Sequence, residues 1–169
     1  MTYVEDIMQK ILGYLRKTAQ SYQMLAEGDR VGVGVSGGKD SMALVYGLSL
    51  MRRFYGVNYS VVGITIDPGF GGVQGDYSEA ADFCAANGIE YHVVPTKIGE
   101  IVFDVRKEKH PCSMCPHLRR GALQDAAVGL GCTKLALGHN YDDVIETFAM
   151  NLFTEGRIGC FSPVTELED

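Results

Sequence analysis

The sequence contains no apolar run that approaches the roughly 18 residues needed to span a membrane. Its first residues are amphipathic and acidic, unlike a secretory signal. It has no internal repeats and no low-complexity tract, and 46% of its 169 residues are hydrophobic, so a disordered chain is not expected. We therefore expect one compact domain over residues 1–169, in the cytoplasm and without a membrane partner.

Cysteines are few and odd in number. The five are Cys84, Cys112, Cys115, Cys132 and Cys160, which argues against the disulfide framework of a secreted protein. We expect Cys84 and Cys132 to be small buried hydrophobic residues. Cys112 and Cys115 form a C-x-x-C in the segment HPCSMCPHLRR. This spacing is compatible with a zinc clip, a dithiol redox pair, an iron-sulfur ligand pair or a sulfur-handling site.

Positive charge is scarce overall, because the formal net charge is -6. This balance disfavours a general nucleic-acid binder. Residues 106–120 are the exception, since five basic residues against one acidic residue give this segment +4, while the rest of the chain carries -10. Such a basic segment fits either a local contact with a polyanion or an ordinary solvated face.

Hydrophobic periodicity predicts alternating helices and strands. We expect helices over 4–26, 40–55, 78–88, 116–130 and 142–153, with Ser78 capping the third, and strands over 30–35, 59–66, 89–94 and 134–138. This order predicts an α/β fold: a doubly wound, mostly parallel sheet with helices on both faces, preceded by an N-terminal helix in residues 1–28. Ligands of such a sheet bind beyond the carboxyl ends of its strands. The final residues CFSPVTELED stop where another strand-helix step is expected, so we expect the C-terminal part to be missing.

A glycine-rich turn follows the first strand, in VGVGVSGGKDS. It is a poor dinucleotide fingerprint, because two of its glycines lie inside the strand, and it lacks the spacing and the Ser or Thr of a Walker A loop. Glycines at a strand-to-helix turn let backbone N-H groups face a phosphate beside a helix N-terminus. Ser36 and Ser41 can donate hydroxyl groups, Lys39 can offset charge, and Asp40 can hold Mg²⁺.

SGGKDS resembles the PP-loop of the ATP pyrophosphatases, and LGHNYDDVIET at 137–147 resembles a second segment of the members that act on tRNA. The resemblance implies an adenine nucleotide alpha hydrolase-like, Rossmann-like fold, with residues 29–169 as the nucleotide-binding core of a PP-loop ATPase domain. It implies ATP and Mg²⁺ as cofactors, with Mg²⁺ on Asp40 and Asp143. The implied nucleotide-binding residues are Ser36, Gly37, Gly38, Lys39, Asp40, Ser41, Gly138, His139 and Asp143.

CSMCPHLRRGAL at 112–123 and DPGFGG at 67–72 resemble the tRNA 2-thiocytidine synthesis proteins. That branch adenylates the C2 oxygen of a cytidine in a tRNA anticodon loop, releases pyrophosphate and inserts sulfur. The resemblance therefore implies tRNA and a sulfur donor, either a protein or sulfide, as partners, and Asp40, Cys112 and Cys115 as catalytic residues. The sequence leaves a homodimer open.

In that family three cysteines hold a [4Fe-4S] cluster, and the C-x-x-C pair maps to Cys112 and Cys115. The third family cysteine lies in a C-terminal region that this sequence does not contain, and Cys160 is not at its position. Zn²⁺ therefore remains an alternative, held by the same pair with His110 or His117. The corresponding functional alternatives are a non-thiolating nucleotide-binding protein and a lysidine-type tRNA modification.

Overall fold

A computed structural model describes residues 3–105 and 111–166, with side chains described for 5–103 and 114–166. The helices are α1 (Tyr3–Ser21), α2 (Lys39–Met51), α3 (Ser78–Ala86), α4 (Pro111–Gly129) and α5 (Tyr141–Glu155). The strands are β1 (Arg30–Gly34), β2 (Ser60–Asp67), β3 (Glu90–Pro95) and β4 (Lys134–Ala136). A short 3-10 turn covers Phe70–Gly72 and a π-helix covers Glu100–Val105.

The sheet has the strand order β3-β2-β1-β4, and every strand pair in the described part of the chain is parallel. The chain moves outward from β1 to β3 and then returns to place β4 on the other side of β1. Val33 of β1 pairs with Ala136 of β4, so both strands end at about the same level. A crevice therefore opens between β1 and β4 at their carboxyl ends, where doubly wound sheets bind ligands.

Two apolar layers cover the sheet, as predicted. Alternate β1 residues, including Val31 and Val33, pack with α1, α2 and α3 on one face. On the other face, Ile64 and Ile66 of β2 pack with α4. Gly32 lies on this second face, where an added Cβ would be 3.1 Å from both Cys132 Sγ and Ile64 Cδ1. Glycine at position 32 therefore makes room for packed side chains of this layer, and not for a ligand.

Several details of the helices differ from the prediction. α2 ends at Met51 and not at Tyr55. α1 ends at Ser21 because Gln23 has a φ of +50°, although the apolar periodicity continues into Met24 and Leu25, which pack against the core. α3 begins at Ser78, but Ser78 does not cap it: the residue before the helix is Tyr77, and the Ser78 N-H instead donates to Asp76 at 2.9 Å.

A further difference concerns the C-x-x-C. The described part of α4 runs from Pro111, so residues 112–115 are helical and do not lie in a loop before the helix. Proline is favoured at the first position of a helix, which makes Pro116 a reasonable but wrong start signal. Within the described ranges, no helix is both long and apolar enough to cross a membrane.

Candidate functional site

The turn between β1 and α2 forms the floor of the crevice. Val35 extends β1 by one hydrogen bond, because its N-H donates to Ile64 O at 2.8 Å, and its own carbonyl accepts from the buried Thr65 hydroxyl at 2.7 Å. Gly37 then has a φ of +83°, a conformation that disfavours any residue with a Cβ. Gly38 has extended backbone and precedes the first residue of α2, with no side chain capping the helix. The uncapped N-terminus of α2 beside this turn is an arrangement that suits an anion.

Ser41 holds this turn in shape. Its side chain is buried, and its hydroxyl donates to Gly38 O at 2.9 Å and accepts from the Ser36 N-H at 3.1 Å. The exposed Ser36 hydroxyl accepts from the Gly38 N-H at 3.3 Å. The two serines predicted together as phosphate donors therefore differ in burial, since Ser36 is exposed and Ser41 is buried, although their hydroxyls lie 3.1 Å apart and both bond within the loop.

Lys39 and Asp40 form an exposed ion pair at the start of α2, with Lys39 Nζ 2.8 Å from the Asp40 carboxylate. The hydrogen bond and charge of Asp40 raise the pKa of Lys39, with smaller contributions from the charges of Asp143 and Asp142. The charges of Asp142 and Asp143 in the second motif therefore favour the protonated form of Lys39 in the first motif. Since both partners are exposed, the pair is weak and can open for a bound anion.

The loop after β4 lies directly against this turn. A Cβ added to Gly138 would be 2.9 Å from Ser41 N and 3.1 Å from the Asp40 carbonyl carbon, so this glycine permits backbone-to-backbone contact between the two motifs. His139 is exposed, and its ring centroid lies 5.2 Å from that of Phe161. The structure thus brings the predicted residues Ser36 to Ser41 and Gly138 to Asp143 to the same end of the sheet.

Asn140 caps α5. Its side chain accepts from the N-H groups of Asp142 at 2.8 Å and Asp143 at 3.4 Å, and the Asp143 carboxylate accepts from the Asn140 N-H at 2.7 Å. This reciprocal arrangement is a capping box. Our sequence interpretation missed it, although an asparagine followed three residues later by an acid is a recognisable signal. One oxygen of Asp143 is thus used by the helix, and the N-terminus of α5 is fixed beside that of α2.

The first turns of α4 form the third part of the site. Cys115 is half-buried and packs with Met114 and Leu118 against the apolar layer of β2. The side chains of His110 and Cys112 lie outside the described residues. His117 is exposed, and because residues two apart do not face each other on a helix, it does not lie beside Cys115.

The remaining cysteines lie elsewhere. Cys84 is fully buried, as expected, and burial raises the pKa of its thiol. Cys132 follows the C-terminal end of α4 and is only half-buried, not fully buried as expected. Its N-H donates to Ala127 O at 2.8 Å, which places it on the order of 20 Å from Cys115 along the helix axis. Cys160 is exposed in the segment after α5. No three His, Cys, Asp or Glu residues form a metal-binding group among the residues that the structure describes.

A parallel sheet of this order, with a Ser-Gly-Gly turn and two helix N-termini at its switch point, defines a nucleotide-binding α/β protein. The chain belongs to the PP-loop domain family, which matches residues 8–164. This confirms the resemblance drawn from the motifs. The fold prediction is likewise confirmed.

The chain is similar to several tRNA-modifying proteins. It is 39% identical over 166 residues to a tRNA-cytidine(32) 2-sulfurtransferase from Syntrophotalea carbinolica. The matched region covers 96% of this chain and 63% of that protein. It resembles the structure of the U34-tRNA thiolase NcsA from Methanococcus maripaludis with its [4Fe-4S] cluster, at a TM-score of 0.70 and 28% identity, over 89% of this chain and 51% of that one. The chain thus spans just under two thirds of the sulfurtransferase and about half of the thiolase.

A third likeness concerns the fold alone. The NAD+ synthetase from Burkholderia pseudomallei matches at a TM-score of 0.53 with 14% identity, over 80% of this chain and 63% of that one.

Proposed function

We propose that the protein uses ATP to activate a cytidine of tRNA and then replaces the C2 oxygen of that base with sulfur. The observation that carries this proposal is the direct packing of Gly138 on the first turn of α2, which joins both PP-loop motifs at the switch point of the sheet. The similarity to a tRNA-cytidine(32) 2-sulfurtransferase supports cytidine as the substrate base. The PP-loop domain would extend over residues 1–169, and the reaction would occur in the cytoplasm.

The first half-reaction is adenylation. The C2 oxygen of cytidine attacks the α-phosphorus of ATP, the bond from that phosphorus to the bridging oxygen breaks, and pyrophosphate leaves. The amide of Gly37, together with the uncapped N-terminus of α2, would stabilise the charge that develops on pyrophosphate. Lys39 is free to turn from Asp40 toward the phosphates because it is almost fully exposed, at 86%.

Asp40 and Asp143 provide a donor set that fits Mg²⁺. Both are carboxylates on the same edge of the sheet, and hard oxygen ligands suit this ion. These residues would hold the ion, and when bound it would supply positive charge to the phosphates. The capping bond to Asn140 leaves the second oxygen of Asp143 to serve as the ligand.

The second half-reaction replaces oxygen with sulfur. A sulfur atom from sulfide or a donor protein adds to C2, and AMP departs with the original oxygen, which adenylation has made part of a good leaving group. Cys112 and Cys115 are one helical turn apart, a spacing that fits two thiolate ligands of one iron-sulfur cluster. They would hold a [4Fe-4S] cluster, which supplies iron for sulfur chemistry when bound. The exposed Arg119 and Arg120 on the same helix would contact tRNA phosphates.

The direct test uses the full-length protein under anaerobic conditions with ATP, Mg²⁺, sulfide and a tRNA transcript that carries an unmodified cytidine at position 32. We expect tRNA-dependent release of pyrophosphate and formation of 2-thiocytidine, measured by nucleoside mass spectrometry. Absence of both products with a reconstituted protein would contradict the proposal.

Asp40→Ala should reduce pyrophosphate release by about 100-fold or more, in the range seen when one preorganised electrostatic group is lost. Its stability should change little because Asp40 is exposed. Asp82→Ala is the matched control, since it removes an exposed carboxylate on α3, outside both PP-loop motifs, and should leave the rate unchanged. A normal rate for Asp40→Ala would refute the role given to this residue.

A further inference from the structure

Two exposed aromatic rings contact each other edge to face beyond the carboxyl ends of β2 and β3. Phe70 belongs to the 3-10 turn after β2, and Phe103 belongs to the π-helix after β3. Their ring centroids are 5.9 Å apart at an interplanar angle of 72°. They remain 46% and 53% exposed, and neither belongs to the two apolar layers of the sheet. Stabilisation of the described core therefore does not account for this pair.

The rings border a hollow that suits a planar ligand. Phe70, Gly71, Gly99 and Phe103 line a space of about 370 Å³. An adjoining cleft of about 700 Å³ runs along the ends of β2 and β3 and includes Lys97. The first hollow has an almost wholly apolar lining, and the second adds polar groups beside it, which is the usual composition of a site for a small planar group.

The two loops that carry the rings are held firmly together. The Gly99 N-H donates to Pro68 O at 2.7 Å, and a Cβ on Gly99 would lie only 3.0 Å from Phe70 Cα. The 3%-exposed Asp67 carboxylate accepts from the N-H groups of Gly69 at 3.0 Å and Gly75 at 3.2 Å. These contacts fix the two loops relative to each other, so binding of a ligand to the rings would cost little conformational entropy.

One exposed basic side chain, Lys97, lies in the cleft beside this aromatic pair, where Asp67 and Glu100 are also present. Lys97 lines the adjoining cleft and is 82% exposed, and among the described residues its ammonium has a long contact of 3.8 Å to Glu100. The nearest buried acid, Asp67, is engaged by the loop amides. Aromatic rings beside exposed cations are typical of surfaces that bind single-stranded RNA, through base stacking and phosphate contacts.

We infer that Phe70 and Phe103 form a stacking subsite for an unpaired nucleotide of the RNA substrate, with Lys97 on its phosphate. This inference rests on the proposed function and adds to it a second point of RNA recognition. β3 is two strands away from β1, on the order of 10 Å by strand spacing. The base stacked here is therefore a neighbour of the base that reacts at the PP-loop.

The test measures binding of the full-length protein to an unmodified tRNA transcript over a series of salt concentrations. Phe70→Ala and Phe103→Ala should each weaken binding by about 5- to 100-fold, the range found for loss of one base-aromatic stack. The slope of log affinity against log salt should not change, because no phosphate contact is removed. Lys97→Ala should reduce the magnitude of that slope by about one, as expected for the loss of one phosphate contact.

Two variants serve as controls. Phe70→Tyr keeps the ring and should bind tRNA as the natural protein does. Phe153→Ala removes a phenylalanine of α5 that is 83% exposed, and it should not affect binding. The affinity for ATP should be the same in all variants.

The inference is overturned if Phe70→Ala and Phe103→Ala bind tRNA as tightly as Phe153→Ala, while the natural protein still forms 2-thiocytidine. It is also overturned if these variants lose ATP affinity instead, since the hollow would then hold the adenine of ATP, or if Phe70→Tyr fails to restore binding. A natural protein that neither binds nor thiolates tRNA would overturn the proposed function, and this inference with it.

Discussion

Replacing Gly138 with alanine tests the contact that joins the two PP-loop motifs. The new methyl group would lie 2.9 Å from Ser41 N, 3.1 Å from Ser41 Cα and 3.1 Å from the carbonyl carbon of Asp40. Relaxed contacts between such atoms are about 3.5–4.0 Å. Because every atom met is backbone of the first turn of α2, no side-chain rotation can relieve the overlap, and the loop must move by roughly half an ångström.

Two effects of different size should follow. Inserting a methyl group into a packed position costs about 1–3 kcal/mol of unfolding free energy. The displaced atoms adjoin the amides that would bind pyrophosphate, and a misplacement of about 1 Å at a reacting centre can reduce a rate by about 100-fold. A shift of half that size should therefore reduce pyrophosphate release on the order of 10-fold.

Urea denaturation and a pyrophosphate-release assay measure these two quantities. Gly13→Ala is the control, because Gly13 is exposed inside α1 with no atom within 4 Å of the new Cβ. It should stabilise the protein by about 0.5–1 kcal/mol without altering the rate. Gly34→Ala should have effects between those of Gly13→Ala and Gly138→Ala, since its Cβ comes closest to the ends of the Leu123 and Leu137 side chains, each at 2.9 Å, which can move aside. A Gly138→Ala protein with the rate and stability of Gly13→Ala would refute the reasoning.

Two further changes test the helix cap and the ion pairs of the opposite sheet edge. Asn140→Ala removes the α5 cap and should cost about 1 kcal/mol of stability in urea denaturation, whereas an unchanged midpoint would contradict the capping box. Hydrogen bonds from His92 and Arg30 lower the pKa of Glu90. The stability that this carboxylate provides is therefore present above its unfolded-state pKa, near 4.5, and is lost as pH falls through the lower folded value. Glu90→Gln should lose less stability than the natural protein as acid is added below about pH 4.5, measured by denaturation at several pH values; identical acid profiles would argue against this linkage.

The sheet and the position of the site follow from sequence pattern because their causes are local. Val-rich segments of five to eight residues between amphipathic helices predict parallel strands, and the strand-to-helix turn in SGGKDS can lie only at a carboxyl edge. The return of β4 to the far side of β1 does not follow from local pattern. It depends on which faces pack together, and it creates the crevice in which Gly138 meets α2.

Other features depended on competing local signals. Pro116 is a plausible start signal for α4, but the helix already includes Pro111. The aromatic pair of Phe70 and Phe103 was not predicted at all, since its members are 33 positions apart in the sequence. Their contact arises from glycines that let two loops touch, and such glycines are ambiguous in a sequence because they equally indicate flexible turns.

The PP-loop itself illustrates what residue types cannot specify. Ser36 and Ser41 are chemically identical, and either hydroxyl suits a phosphate. Their difference arises only when α2 forms, because Ser41 then occupies the third helical position and its hydroxyl reaches back to Gly38 O at 2.9 Å. Ser36, one residue before the left-handed Gly37, remains on the outer surface of the turn. The motif therefore combines one serine that shapes the loop with one that can meet the ligand, and burial, which sequence does not reveal, separates them.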